Sequence, residues 1–174
     1  MMRILWLSWV LLFGFHAEEN KLVIREKEIT VSGNTSLGKF NCTYQVEGIK
    51  DTLSFVDNQS NDDFLFDIPV ADFGCGNFLL NNDFRKTIKA RDFPTARVAV
   101  TNLRRHHSTY FCNLQLELAG KTLYFRNFQL DKGAGKLSGH LRLKFHTLDL
   151  EPPQKLGGLV KVDESLFIYL SLFL

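Results

Sequence analysis

Leu137-Ser138-Gly139-His140-Leu141-Arg142-Leu143-Lys144-Phe145-His146 places Leu, Gly, Leu, Leu and Phe on one side and Ser, His, Arg, Lys and His on the other. After a Pro- and Gly-containing stretch over 149–158 the alternation returns. Leu166, Ile168, Leu170 and Leu172 then stand against Phe167, Tyr169, Ser171 and Phe173. A period of two is the mark of a β-strand with one buried face. A nearly all-apolar final strand has to hide both of its faces and its edge. A closed barrel does this.

The rest of the chain agrees with an all-β reading. It has 174 residues, the length of one domain. Sixteen Phe and only four Pro suit β-strands around a greasy interior. The formal charge of +2 is close to balance and no run of like charge stands out, so no nucleic-acid partner is expected.

Strand signals recur along the chain. Leu22 to Val31 reads as a first strand or a pair of short strands, ending at Ser32-Gly33-Asn34. Phe40, Cys42, Tyr44 and Val46 alternate, Glu47-Gly48 reads as a turn, and Leu53 and Phe55 mark another strand. Phe64, Phe66, Ile68 and Val70 form a clean set in which Pro69 implies an edge or a bend. Ala96, Val98 and Val100 follow, then Tyr110 to Leu118 and a tight Ala119-Gly120 turn. The slip in phase between Leu123, Phe125 and Phe128, Leu130 implies a bulge near Arg126-Asn127. One helix is expected over Asn81–Ala90, capped by Asn81 or Asn82, with Phe84 and Ile88 inward and Arg85, Lys86 and Lys89 outward. The expected fold is a single antiparallel eight-stranded barrel with one short inserted helix.

The N-terminus reads as an export signal over residues 1–17. Arg3 begins it, Ile4 to Phe15 is an apolar stretch too short to span a membrane comfortably, and Ala17 precedes Glu18-Glu19. Residues 18–174 form the exported domain, periplasmic or secreted. Export permits a disulfide among Cys42, Cys75 and Cys112, and three pairings are open. Cys75 lies in the flexible Gly74-Cys75-Gly76, and Cys42 on a neighbouring strand is its preferred partner. Cys112 alternates with Tyr110, Leu114 and Leu116 and reads as a buried core thiol.

No catalytic constellation is present, so no enzyme is expected. The chain has no glycine-rich phosphate loop, nucleophile elbow or paired-cysteine metal motif. His106-His107, adjacent at a turn, are expected to point apart. His140 and His146 are expected six residues apart on the polar face of one strand, and no metal site is expected. Asn34, Asn41 and Asn58 each head a weak glycosylation pattern.

Function is therefore sought in the interior. The candidate lining is Phe64, Phe66, Ile68, Val98, Val100, Leu114, Leu116, Leu123, Phe125, Leu141, Leu143, Phe145, Ile168 and Leu170. An apolar chain held there gains about 0.8 kcal/mol per buried methylene. A barrel filled by its own side chains, with a structural or interaction role, is the alternative. Alternation by itself equally allows a small outer-membrane barrel with the apolar face outward.

Several segments resemble a known family. Ser32-Gly33-Asn34-Thr35-Ser36-Leu37-Gly38-Lys39-Phe40 resembles the opening motif of the YceI-like polyisoprenoid-binding proteins. Asp83 to Ala90, followed by Arg91-Asp92-Phe93-Pro94-Thr95-Ala96-Arg97-Val98, is similar to the short helix and Pro-containing strand start of that family. Leu114 to Lys121 resembles the strand before its glycine turn. Phe40-x-Cys42, Gly74-Cys75-Gly76, Leu137-Ser138-Gly139 and Leu148 to Val162 look like a Bacteroidetes-type variant. The resemblance implies a lipocalin-like barrel. It also implies an isoprenoid or isoprenoid-quinone-like apolar chain as ligand, no further cofactor, and at most transient membrane contact.

Overall fold

The computed structural model describes residues 21–60, 62–153 and 160–174. The leader expected over residues 1–17 lies outside them, as do residues 154–158 of the expected loop over 149–158. The strands are β1 (Lys21–Thr35), β2 (Gly38–Ser54), β3 (Phe64–Pro69), β4 (Thr95–His106), β5 (Thr109–Leu118), β6 (Lys121–Gly133), β7 (Lys136–Lys144) and β8 (Val162–Phe173), with one helix, α1 (Phe78–Thr87). They form one antiparallel sheet in the order β2-β1-β8-β7-β6-β5-β4-β3. The all-β expectation holds, and the sheet curls into a half-barrel.

The terminal strand hides its edges by sitting in the middle of the sheet. β8 pairs with β1 on one side and β7 on the other. Leu166 and Leu172 of β8 are buried, as are Leu137, Gly139 and Leu143 of β7. His140 and Lys144 stand exposed on the opposite face. The apolar faces therefore point inward, the reverse of the arrangement a lipid-facing barrel requires.

Three expectations about the strands need correction. Glu47-Gly48 is not a turn between two strands. Glu26 pairs with Glu47 and Ile24 with Asp51, so β2 runs straight through with two extra residues at this point. Gly48 takes φ +74 there, a conformation that suits glycine. Leu53 belongs to the same long strand. Val70 begins a 3-10 turn, Val70–Asp72, rather than continuing β3, because Pro69 cannot donate to a ladder. Phe145 and His146 leave β7 for a second 3-10 turn, Phe145–Leu148. His146 accordingly does not share a strand face with His140. It meets Glu164 at 2.7 Å, and hydrogen bonds from its ring and backbone hold that carboxyl below its usual range.

The bulge expected in β6 is present. Cys112 pairs with Phe128 and Leu114 with Phe125, leaving one extra residue, and Asn127 takes φ 53. Beyond it β6 and β7 share only the pairs from Asp131–Ser138 to Gly133–Lys136. Phe128 lies over Gly139, where an added Cβ would stand 2.6 Å from the ring. The glycine lets a phenyl group pack against the backbone where the ladder stops.

No ladder joins edge strands β2 and β3. The Cys42–Cys75 disulfide joins β2 to the segment after β3. Thr43 and Gly74 exchange two backbone hydrogen bonds of 2.9 Å beside it. The preferred cysteine pairing is the one the structure holds. Removing it by Cys42→Ser with Cys75→Ser should cost about 3–4 kcal/mol in the chain-entropy account of a 33-residue separation. Thermal melts of the oxidised protein and the double variant check this, with a fall in Tm of roughly 10 °C expected.

Candidate functional site

Helix α1 closes one end of the curled sheet. Asn77, not Asn81 or Asn82, is its cap: the Asn77 side chain accepts from the Leu80 amide at 2.9 Å. The helix starts three residues earlier than the sequence implied. Asn81 has another task, accepting from the Cys75 amide at 2.6 Å and so tying the helix to the disulfide loop. Arg85 donates to the Ala71 carbonyl at 2.6 Å. These bonds hold Phe84 and Ile88 over the interior, as their spacing implied. Phe84 packs on Phe73 with ring centroids 5.2 Å apart, and Phe73 on Tyr44 at 5.7 Å.

Beneath this aromatic cover lies a cavity of about 100 Å³. A second of about 20 Å³ lies deeper, lined by Ile24, Leu53 and Leu103 among others. Water needs about 10–15 Å³ per molecule on this measure, so the larger cavity has room for roughly seven to ten waters. Its lining is almost wholly apolar, with Lys27, Tyr44 and Asp67 the only polar side chains among the described residues. Water finds few partners on such a wall, and apolar carbon finds many.

The expected lining residues divide into three groups. Phe66, Ile68, Val98, Leu114, Leu116, Leu141, Ile168 and Leu170 face the larger cavity. Phe64 and Val100 face the smaller one. Leu123, Phe125, Leu143 and Phe145 line neither. Phe145 and Leu143 are buried in the core (2% and 4% exposed). Leu123 and Phe125 lie on the half of β6 that diverges from β7 and are partly buried against the core. Alternation identifies a face but not how far along the strand the open space extends.

Several lining residues were missed. Phe73 and Phe128 follow a bend and a bulge, where period two loses phase, whereas Ala96 is in phase with Val98. Lys27, Ile29 and Val31 had a readable signal, since they alternate and so share one face.

The polar groups of the site are few. Asp67 and Arg97 pair at 2.8 Å on the rim, and that bond holds the Asp67 carboxyl below its usual range. Burial, and secondarily the Asp72 carboxylate, hold the Tyr44 hydroxyl above its usual value. His106 and His107 do not point apart as expected: their rings meet edge-on with Nδ1 atoms 3.4 Å apart, because His107 turns back at φ 58. They are exposed, and among the described residues no three His, Cys, Asp or Glu side chains gather to hold a metal ion.

Cys112 is fully buried and its thiol faces the Phe128 carbonyl at 3.7 Å. Burial pushes its pKa up to about 11. The thiolate is the reactive form, so this cysteine should be inert. Iodoacetamide at pH 8 should leave it unmodified in the native protein and alkylate it fully after denaturation, as intact-mass measurement would show.

No protein-family model matches the chain, and no curated protein matches it in sequence. Solved structures do match in shape. BcnA from Burkholderia cenocepacia superposes with a TM-score of 0.51 at 13% identity, over 83% of this chain and 94% of that one. A polyisoprenoid-binding domain from Saccharophagus degradans, implicated in plant cell wall breakdown, superposes with a TM-score of 0.55 at 11% identity, over 89% of this chain and 99% of that one. The chain thus shares its fold with a polyisoprenoid-binding domain, the architecture that its resemblance to the YceI-like family implies.

Proposed function

We propose that this chain is an exported, non-enzymatic lipid-binding protein of the YceI-like kind, holding an apolar chain inside its curled sheet. The observation that carries this reading is the cavity of about 100 Å³ with its nearly unbroken apolar wall, set under α1. Isoprenoid or a similar hydrocarbon suits such a wall, because burial alone supplies the affinity and no polar code is needed. The fold shared with a polyisoprenoid-binding domain supports the same ligand class. The leader-like residues 1–17 and the disulfide support export to the periplasm or beyond. Transport, storage or sequestration of the lipid is the role that follows. Transient membrane contact during loading would fall to the tip of α1, where Phe78 and Leu79 stand 83% and 69% exposed.

The size of the cavity sets a bound on the ligand. Room for roughly seven to ten waters holds a short run of apolar carbon. A longer tail requires Phe73 and Phe84 to swing out of their stack.

Organic extraction of protein purified from its native source, followed by mass spectrometry, should return a stoichiometric apolar lipid. Val98→Phe, which adds a ring inside the cavity, should weaken uptake of the fluorescent probe N-phenylnaphthylamine at least about tenfold, while overpacking costs no more than about 1–3 kcal/mol. No recovered lipid, together with unchanged probe uptake by the variant, would overturn the reading.

A further inference from the structure

We infer that Lys27 is the head-group reader of this cavity and that the ligand is an apolar chain ending in an anionic oxygen group, a phosphate or a carboxylate. The inference rests on the lipid-binding reading above and adds the chemistry of the ligand's polar end. Lys27 shares its face of β1 with Ile29 and Val31, and all three line the cavity. It pairs with Val46 on β2 and Leu172 on β8, so apolar neighbours flank it on both sides. Its side chain is only 18% exposed. A cation in that position has lost most of its water, and a lost hydration shell is costly unless partners replace it.

Two partners are in place. The ammonium lies 4.2 Å from the centre of the Phe66 ring and 3.2 Å from Asp51 Oδ2. Phe66 belongs to β3 and Lys27 to β1, so the contact links strands near opposite ends of the sheet order that share no ladder. An ammonium has three N–H donors. The Asp51 bond uses one and the ring face satisfies the charge without taking up a hydrogen bond in the usual sense. Donor capacity therefore remains, at the wall of a cavity whose other polar side chains among the described residues are Tyr44 and Asp67. Asp51 is 40% exposed, so a bound anion could take over its role while water solvates the released carboxylate. The alternative anchor, Arg97, is committed to Asp67 on the exposed rim.

Matched probes test this. Geranyl phosphate and geraniol share a ten-carbon chain that suits the cavity, and decanoate offers a carboxylate on a chain of similar length. Isothermal titration at fixed ionic strength would compare them in the full protein. The wild type should bind geranyl phosphate or decanoate about tenfold more tightly than geraniol, the scale of one charge-assisted hydrogen bond. Whichever anion binds better identifies the head. Lys27→Met should abolish the preference and leave geraniol within about twofold. Asp51→Asn, which leaves Lys27 in place and removes its competitor, should strengthen anion binding by about threefold. A lysine that only closes the seam would not produce that gain. Equal binding of geraniol and both anions by the wild type, or no strengthening in Asp51→Asn, would overturn the inference and leave the lipid-binding reading standing. Inorganic phosphate binding as tightly as geranyl phosphate would also overturn it. Failure of geraniol and both anions to bind at all would instead remove the lipid-binding reading.

Discussion

Strands β2 and β3 are the two edges of the curled sheet and no ladder joins them, so the dry interior depends on how that seam is shut. The Cys42–Cys75 disulfide and the paired Thr43 and Gly74 backbones hold one part of it. Further along, the Lys27 side chain crosses to the Phe66 ring while bonded to Asp51. Next to the disulfide, Tyr44, Phe73 and Phe84 stack across the gap. A continuous ladder would have closed the sheet with backbone bonds alone. Here closure rests on one disulfide, one pair of backbone bonds and side-chain contacts. The helix depends on the same seam, because Asn81 bonds to the Cys75 amide.

That arrangement bears on whether the interior is a container or a packed core. The strand faces are apolar either way, and burial of Leu137, Leu148, Tyr110 and Phe145 shows that much of the interior is packed. The open part lies toward α1, where aromatic rings rather than branched aliphatics form the cover. Rings of this kind turn as units and leave irregular gaps between them. The divergence of β6 from β7 after three pairs adds slack on the other side, filled by Phe128 over Gly139 and by the buried turn around Phe145 and Leu148. Phe55 and Tyr110 pack edge to face at the end away from the helix, with ring centroids 5.8 Å apart.

Much of this was legible in the chain. The alternation of Leu137 to Lys144 and of Leu166 to Phe173 gave strands and a buried face, because period two admits no other regular structure. The slip between Phe125 and Phe128 located the bulge. Phe84 and Ile88 gave the inward side of the helix. Other features were not legible locally. Glu47-Gly48 has the composition of a turn, yet β1 continues past it and holds β2 straight. Asn77 and Asn81 are chemically equivalent as caps, and only the position of the Cys75 amide assigns one to the helix end and the other to the loop. Lys27 was in phase with Ile29 and Val31, but a charge at an inward position is credible only when its partners, Asp51 and Phe66, are seen to arrive.

The sequence by itself determined the strands, their buried faces and the location of the bulge, because these follow from periodicity and residue chemistry within a few neighbours. Tertiary structure alone decided which lining residues meet at open space, since Leu143 and Phe145 obey the same alternation as Leu141 yet lie in packed core. It also decided that the seam closes by a disulfide, an aromatic stack and one inward lysine. Those contacts join residues far apart in the chain, and their geometry is set by the curl of the whole sheet.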